Sequence, residues 1–106
     1  MDIMGLMKKA QAMQAKMKDV QEELERVEVE GQSGGGMVKI TLNAKGQMKA
    51  IALDPSLLKP EDREMVEDLI LAAHADARAK ADRLAEEKMQ AVTAGLPLPP
   101  GMKLPF

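Results

Sequence analysis

Residues 27–54, VEVEGQSGGGMVKITLNAKGQMKAIALD, decide the fold, because strand-like alternation and turn punctuation occur only there. Apolar residues recur at every second position in three runs, at Val27 and Val29, at Val38, Ile40 and Leu42, and at Ile51 and Leu53. This period of two is typical of half-buried antiparallel strands. Glycines at 34–36 and the stretch 43–46, NAKG, separate the runs and accept the positive φ that tight turns need. The stretch therefore predicts a three-stranded antiparallel meander.

A long helical pattern precedes the meander. Asp2 can cap a helix that begins at Ile3 and continues to about Arg26. Its apolar residues alternate in spacing between three and four, which is the seam of a coiled coil: Ile3, Leu6, Ala10, Met13, Met17, Val20, Leu24 and Val27. The methionines could instead line a peptide-binding groove, but their place on the seam favours core packing. The helix would be about 35 Å long, so part of its seam must pack on the second helix or on another copy of the chain.

A second helical pattern follows the meander. Asp54 and Pro55 predict a short capped turn, from which Leu57 and Leu58 would anchor on the sheet. Pro60 then begins the second helix, whose apolar side holds Met65, Val66, Leu69, Ile70, Ala73, Ala77, Ala81 and Leu84. The alanines suit close approach of the helix more than large burial. Gly95 ends the helix, so residues 1–95 form one α+β domain of order α-β-β-β-α, and residues 96–106 form an extended Pro-rich tail.

Composition predicts a cytoplasmic protein. The chain has 106 residues and no cysteine, which favours a single small domain in an intracellular compartment. Its first twenty residues contain no continuous apolar run, so no signal peptide is expected. No stretch approaches the roughly 20 apolar residues of a membrane span, and no membrane partner is expected.

Catalytic or cofactor chemistry finds little support in the sequence. Residues 31–36 have the glycine spacing of a phosphate loop, but the Lys and Ser/Thr that should follow are absent and the stretch lies between strands. His74 is the only histidine and has no cysteine partner, so a position on the helix surface or edge explains it better than a metal site. The carboxylates fall on helical polar faces without an acid–base pair. We expect neither an enzyme nor a cofactor or metal site.

Charge is distributed unevenly along the chain. The net charge is only −2, but residues 1–20 are basic in excess and residues 21–30 acidic in excess. Lys9 and Lys16 occupy the same flanking position of the seam one heptad apart, and Lys8 lies beside Lys9. They form either a solvated charged face or a short basic stripe near the free end of a rod. Any anionic partner must therefore be met by a local patch.

Four motifs, taken together, resemble the YbaB/EbfC family. They are residues 7–14, MKKAQAMQ, residues 31–40, GQSGGGMVKI, residues 54–58, DPSLL, and residues 98–106, LPPGMKLPF. The resemblance covers essentially the whole chain in the same order. It implies a bacterial nucleoid-associated protein that forms a homodimer and binds double-stranded DNA. It also implies sheets that meet at the dimer centre, helices that project as arms, and a link to recombination and repair proteins.

Under that resemblance, charge geometry nominates six residues for duplex contact. They are Lys8, Lys9 and Lys16 on the first helix, assisted by Arg78, Lys80 and Arg83 on the second. If the helices run antiparallel, the two basic patches could share one end of a helical arm. Such contacts would reach phosphates rather than base edges. The alternative is a protein-interaction module, linked to recombination or repair, whose tail and helical arms dock partners while DNA contact is incidental.

Overall fold

The structure is a computed structural model and describes residues 2–93, without the side chain of Thr93. It consists of α1 (Ile3–Arg26), β1 (Glu28–Ser33), β2 (Val38–Asn43), β3 (Met48–Leu53) and α2 (Arg63–Thr93). The predicted α-β-β-β-α order and α+β class are confirmed. The predicted helix end at Gly95 and the tail at 96–106 lie outside the described residues.

The strands form one antiparallel sheet in the order β1-β2-β3. Gly31 lies opposite Ile40, and Ile40 lies opposite Ile51, so the three residues share one face of the sheet. Both predicted turns are present. Gly34, Gly35 and Gly36 all have positive φ between β1 and β2, and Gly46 has a φ of 88° between β2 and β3.

The main core lies between this face and α2, which packs over β1 and β2. Its buried side chains come from the inner face of β2, from the alanine stretch of α2 and from the turn after β3: Val38, Ile40, Leu42, Ala73, Ala77 and Leu57. Partly buried apolar residues of β1, β3, the turn after β1 and the first half of α2 pack against it: Val29, Leu53, Met37, Val66, Leu69 and Ile70. The alternation of β2 read from the sequence is therefore the alternation between core and solvent.

Gly31 is the point of closest approach between α2 and the sheet. A Cβ built on Gly31 would overlap the backbone nitrogen of Ala77 and the carbonyl oxygen of Ala73, and would lie 2.6 Å from the Cβ of Ala77. Only glycine fits there, and only small side chains fit on the facing turns of α2. The alanines of α2 therefore allow the helix to approach β1 closely, as the sequence predicts.

The C-terminal end of α1 is fixed to the turn after β2 by Asn43. The buried Asn43 amide donates to the carbonyl oxygen of Glu25 at 3.2 Å and to Oε1 of Gln47 at 2.8 Å. Its Oδ1 accepts from the backbone N–H groups of Lys45 and Gln47, both at 3.0 Å. The buried amide is fully satisfied, and the base of α1 is held at a defined position on the sheet.

A second, smaller cluster packs the base of α1 against the C-terminal part of α2. Val20, Leu24 and Ala44 are its buried residues, and Leu84, Ala85, Met89 and Val92 pack against them. Val20 and Leu24 are the only residues of the predicted seam in α1 that are buried. At the other end of α1, Ile3 and Leu6 are exposed. Met13 and Met17 are half-buried, so the described residues bury the seam fully only near its C-terminal end.

Several positions differ from the sequence-based expectations. Residues Pro60–Asp62 form a 3-10 turn, so α2 begins at Arg63 rather than at Pro60. Leu57 anchors the preceding turn, but Leu58 is 66% exposed. Ile51 of β3 is 47% exposed, because α2 covers β1 and β2 and leaves β3 open. Met65 also points away from the core.

Gly31→Ala is expected to destabilise the protein by about 3 kcal/mol, because the new methyl group overlaps helix backbone that cannot move without separating α2 from β1. Urea unfolding at a fixed protein concentration measures the loss. Gly35→Ala is the matched control. Gly35 has a positive φ, but no atom lies within 4 Å of the position that a new methyl group would take, so this variant should lose only about 1 kcal/mol. Equal losses at the two sites would contradict the close contact.

Candidate nucleic-acid interface

The three lysines predicted on α1 form one exposed patch. Lys8, Lys9 and Lys16 are all exposed, and none of them makes an ion pair within residues 2–93. Lys9 and Lys16 are seven residues, or nearly two full turns, apart, so they lie on the same side of α1. Their ammonium groups are therefore available to an anionic partner.

Two of the three basic residues predicted on α2 are engaged within the protein. Nε of Arg78 lies 3.0 Å from Oδ1 of Asp82, and the guanidinium lies against Gly46, where a Cβ would overlap it. Nζ of Lys80 lies 3.3 Å from Oδ2 of Asp76 and donates to the carbonyl oxygen of Glu30 at 2.9 Å. Arg83 is exposed and makes no ion pair with any described residue.

Asp76, like Lys80, joins α2 to the backbone of β1. Its Oδ2 accepts a hydrogen bond from the backbone N–H of Gln32 at 3.1 Å. That hydrogen bond, together with the ammonium group of Lys80, lowers the pKa of the Asp76 carboxyl group. Lys80 thus holds a strand rather than projecting freely from α2, a role that its position in the sequence does not reveal.

The structure does not bring all six predicted residues to one end of an arm. Leu84 and Leu24 belong to the same cluster, so residues 78–83 lie near the C-terminal end of α1, among the acidic residues at 22–30. Lys9 is 15 residues before Leu24, which corresponds to about 22 Å along the helix. Lys16 instead shares a groove with Lys88 of α2. Lys88, which the sequence analysis did not single out, is paired with Glu23.

A metal site and a membrane span each place requirements on the described residues. Among residues 2–93, no group of three or more His, Cys, Asp or Glu side chains is arranged to hold a metal ion. His74 is half-buried on α2. Neither α1 nor α2, as far as they are described, is long and apolar enough to cross a membrane.

The arrangement of a helix, a three-stranded antiparallel sheet and a second helix defines a known class of fold. The chain matches a solved structure, an uncharacterized protein from Helicobacter pylori, with a TM-score of 0.75 at 24% identity, over 90% of this chain and 99% of that one. Residues 1–96 match the YbaB/EbfC DNA-binding family.

Close relatives agree with that match. A protein of Methylocella silvestris described as "Nucleoid-associated protein" is 65% identical over 99% of this chain and 98% of its own length. A nucleoid-associated protein of Agrobacterium fabrum is 56% identical with the same coverage. The chain belongs to the YbaB/EbfC DNA-binding family, which confirms the resemblance read from its motifs.

We expect an NMR titration to give Asp76 a pKa below the ordinary value of about 3.9. Lys80→Ala should raise it only in part, because the Gln32 N–H, the largest single cause, still donates to Oδ2. A lowered native pKa contributes stability that is present above the unfolded pKa and is lost as pH falls through the native pKa. Asp76→Asn should remove this pH dependence. A carboxyl group that titrates at or above about 3.9 would contradict the contact.

Proposed function

We propose that this chain is a homodimeric nucleoid-associated protein, which binds double-stranded DNA mainly through phosphate contacts and helps to organise the nucleoid. The observation that carries the proposal is the patch of exposed lysines on α1, Lys8, Lys9 and Lys16, which lack ion pairs among the described residues. Membership of a DNA-binding family and the names of the relatives support it.

The chemistry of the patch suits the DNA backbone. Lysine is a compact, strongly hydrated cation that contacts phosphate as a point charge and does not read base edges. The chain has no Trp and no Tyr, which disfavours binding of single strands by base stacking. We therefore propose duplex contact by Lys8, Lys9 and Lys16. Arg83 lies near the acidic end of α1, and the charges of Arg78 and Lys80 are paired, so we propose that these three residues contribute less.

The acidic segment beyond the patch would orient the duplex. Residues 22–30 carry five glutamates and a single arginine, and they lie at the C-terminal end of α1 and the start of β1. A polyanion approaching the protein is repelled there and attracted at the outer part of the helix. DNA should therefore meet α1 between Lys8 and Lys16.

The proposed homodimer has a candidate interface at β3. Met48 and Ile51 on the inner face of β3 are 50% and 47% exposed, and Leu58 and Leu71 are 66% and 68% exposed. Leu71 precedes Arg78 by seven residues, and Arg78 lies against the turn between β2 and β3, so Leu71 is on the same side of α2 as β3. We call Met48, Ile51, Leu58 and Leu71 the β3 patch.

A second copy of the chain is the occupant that we propose for the β3 patch. β3 has a neighbouring strand on one side only, so its outer edge also offers hydrogen-bonding groups. Two copies related by a twofold axis would cover both the patch and the edge with the same residues. Such a dimer would present the α1 lysines twice to one duplex.

One observation favours a second candidate function, a protein-interaction module. Ile3, Met4, Leu6 and Met7, at the start of α1, are between 56% and 73% exposed. Apolar side chains contribute nothing to phosphate binding but suit an apolar partner surface. In this alternative the start of α1 docks another protein, for which the resemblance suggests recombination and repair proteins, and DNA contact is incidental.

Binding to duplex DNA should fall with added salt and depend weakly on sequence. For about three to five phosphate contacts, the slope of log K against log salt concentration should be about −3 to −5. Lys9→Glu together with Lys16→Glu should weaken binding to every duplex, because two attractive charges become repulsive. Fluorescence anisotropy across a salt series measures both effects.

Lys39→Glu together with Lys59→Glu is the charge-matched control. Both lysines are exposed and make no ion pair within residues 2–93, but they lie on the sheet and on the loop before α2. This control should bind more tightly than the α1 variant does. Equal binding of the α1 variant and the parent at moderate salt would refute the α1 site and favour the interaction module.

Sedimentation equilibrium at micromolar concentration should give twice the protomer mass. Ile51→Lys with Leu71→Lys should shift the protein to monomer without unfolding it, because both side chains are already about half exposed or more. Ala50→Lys changes the exposed neighbour of Ile51 on the opposite face of β3 and should leave the dimer intact. A monomeric parent would overturn the dimer. A dimeric Ile51→Lys/Leu71→Lys variant would overturn the interface.

A further inference from the structure

The two edges of the sheet differ in how they are covered. β1 and β3 are the outer strands, and each would ordinarily expose a row of unpaired backbone groups to any passing strand. In an antiparallel ladder, successive residues turn their backbone groups alternately toward the neighbouring strand and away from it. The backbone groups of Glu30 and Gln32 point away from β2, as their hydrogen bonds to side chains of α2 show.

Side chains of α2 occupy backbone groups of this β1 edge. Lys80 donates to the carbonyl oxygen of Glu30 at 2.9 Å, and Asp76 accepts from the N–H of Gln32 at 3.1 Å. Asp76 and Lys80 are themselves 3.3 Å apart, so the two caps support each other. They reach the edge because the contact at Gly31 brings α2 against β1.

We propose that Asp76 and Lys80 close the β1 edge against strand addition, so that copies of this chain associate only through β3. The closure of the edge is argued from the hydrogen bonds of Asp76 and Lys80. Its effect on association rests on the proposed homodimer. An incoming strand would have to displace an ion pair and two hydrogen bonds.

A closed β1 edge would limit the number of copies that can associate. If both edges were open, β3 of one copy could add to β1 of the next, and this heterologous contact would repeat without closing into a finite particle. With β1 closed, the remaining pairing is β3 with β3 about a twofold axis, which ends at two copies. The caps thus favour a dimer over an open-ended assembly.

The test is the double variant Asp76→Ala/Lys80→Ala, studied by sedimentation velocity with the parent. We expect the double variant to form species larger than a dimer, whose size increases with concentration. Adding Ile51→Lys to it should reduce this growth, because β3 supplies the other half of each contact. The matched control is Arg63→Ala/Glu67→Ala, which removes an exposed ion pair of α2 with the same spacing and should leave the parent's mass unchanged.

Hydrogen exchange gives a second measurement on single variants, in case the double variant fails to fold. The Gln32 amide should be protected in the parent and should exchange about tenfold faster in Asp76→Ala, as expected for a lost charged hydrogen bond. Asp76→Asn retains an acceptor and should stay closer to the parent. Rapid exchange of Gln32 in the parent would overturn the inference.

The outcomes separate this inference from the proposed function. A dimeric parent with an unchanged mass in the folded double variant would overturn the closed edge and leave the homodimer standing. A monomeric parent whose double variant self-associates would overturn the homodimer and support the closed edge. A monomeric parent whose folded double variant also stays monomeric would overturn both.

Discussion

The contact between Gly31 and the alanine stretch of α2 is the constraint on which the other features depend. Because Gly31 has no side chain, the backbone of α2 can lie directly against β1, where a Cβ would overlap it. The helix therefore lies toward the β1 side of the sheet. Two consequences follow from that offset. Asp76 and Lys80 reach the backbone of β1, and the inner face of β3 is left without cover. The proposed closure of the β1 edge and the exposure of β3 therefore have the same geometric cause.

The position of the proposed DNA-binding patch depends on a different contact, the buried amide of Asn43. It joins the carbonyl oxygen of Glu25 to the turn after β2, so α1 leaves the sheet at a fixed point. An exposed helix with a fixed base is a suitable carrier for a charge patch, because its lysines keep their mutual spacing while each side chain adapts to a phosphate. The acidic residues lie near the base and the basic residues lie far from it, which gives the helix a polarity along its length.

Much of this fold could be predicted because its signals are local. The alternation of β2, the glycines of both turns and the Asp2 cap each act within a few residues, and the structure has all of them. Leu58 was placed wrongly, and Ile51 lies on the predicted face but is exposed in the protomer, because burial depends on where α2 lies across the sheet, which periodicity does not encode. The partners of Arg78 and Lys80 were missed in part for the same reason. Asp82 and Asp76 are within reach by helical spacing, but the Lys80 contact with β1 spans 50 residues of sequence.

The paired charges on α2 change what the proposed DNA interface requires. With Arg78 and Lys80 engaged inside the protomer, a single copy offers few free cations to a duplex, and few phosphate contacts give weak, salt-sensitive binding. A dimer built on β3 doubles the number of α1 lysines, and the second arm then binds at a raised effective concentration once the first is in place. That gain is available only if both arms can reach one duplex together. Dimer geometry and DNA affinity are therefore coupled in the proposed function, through the side of the sheet that α2 leaves uncovered.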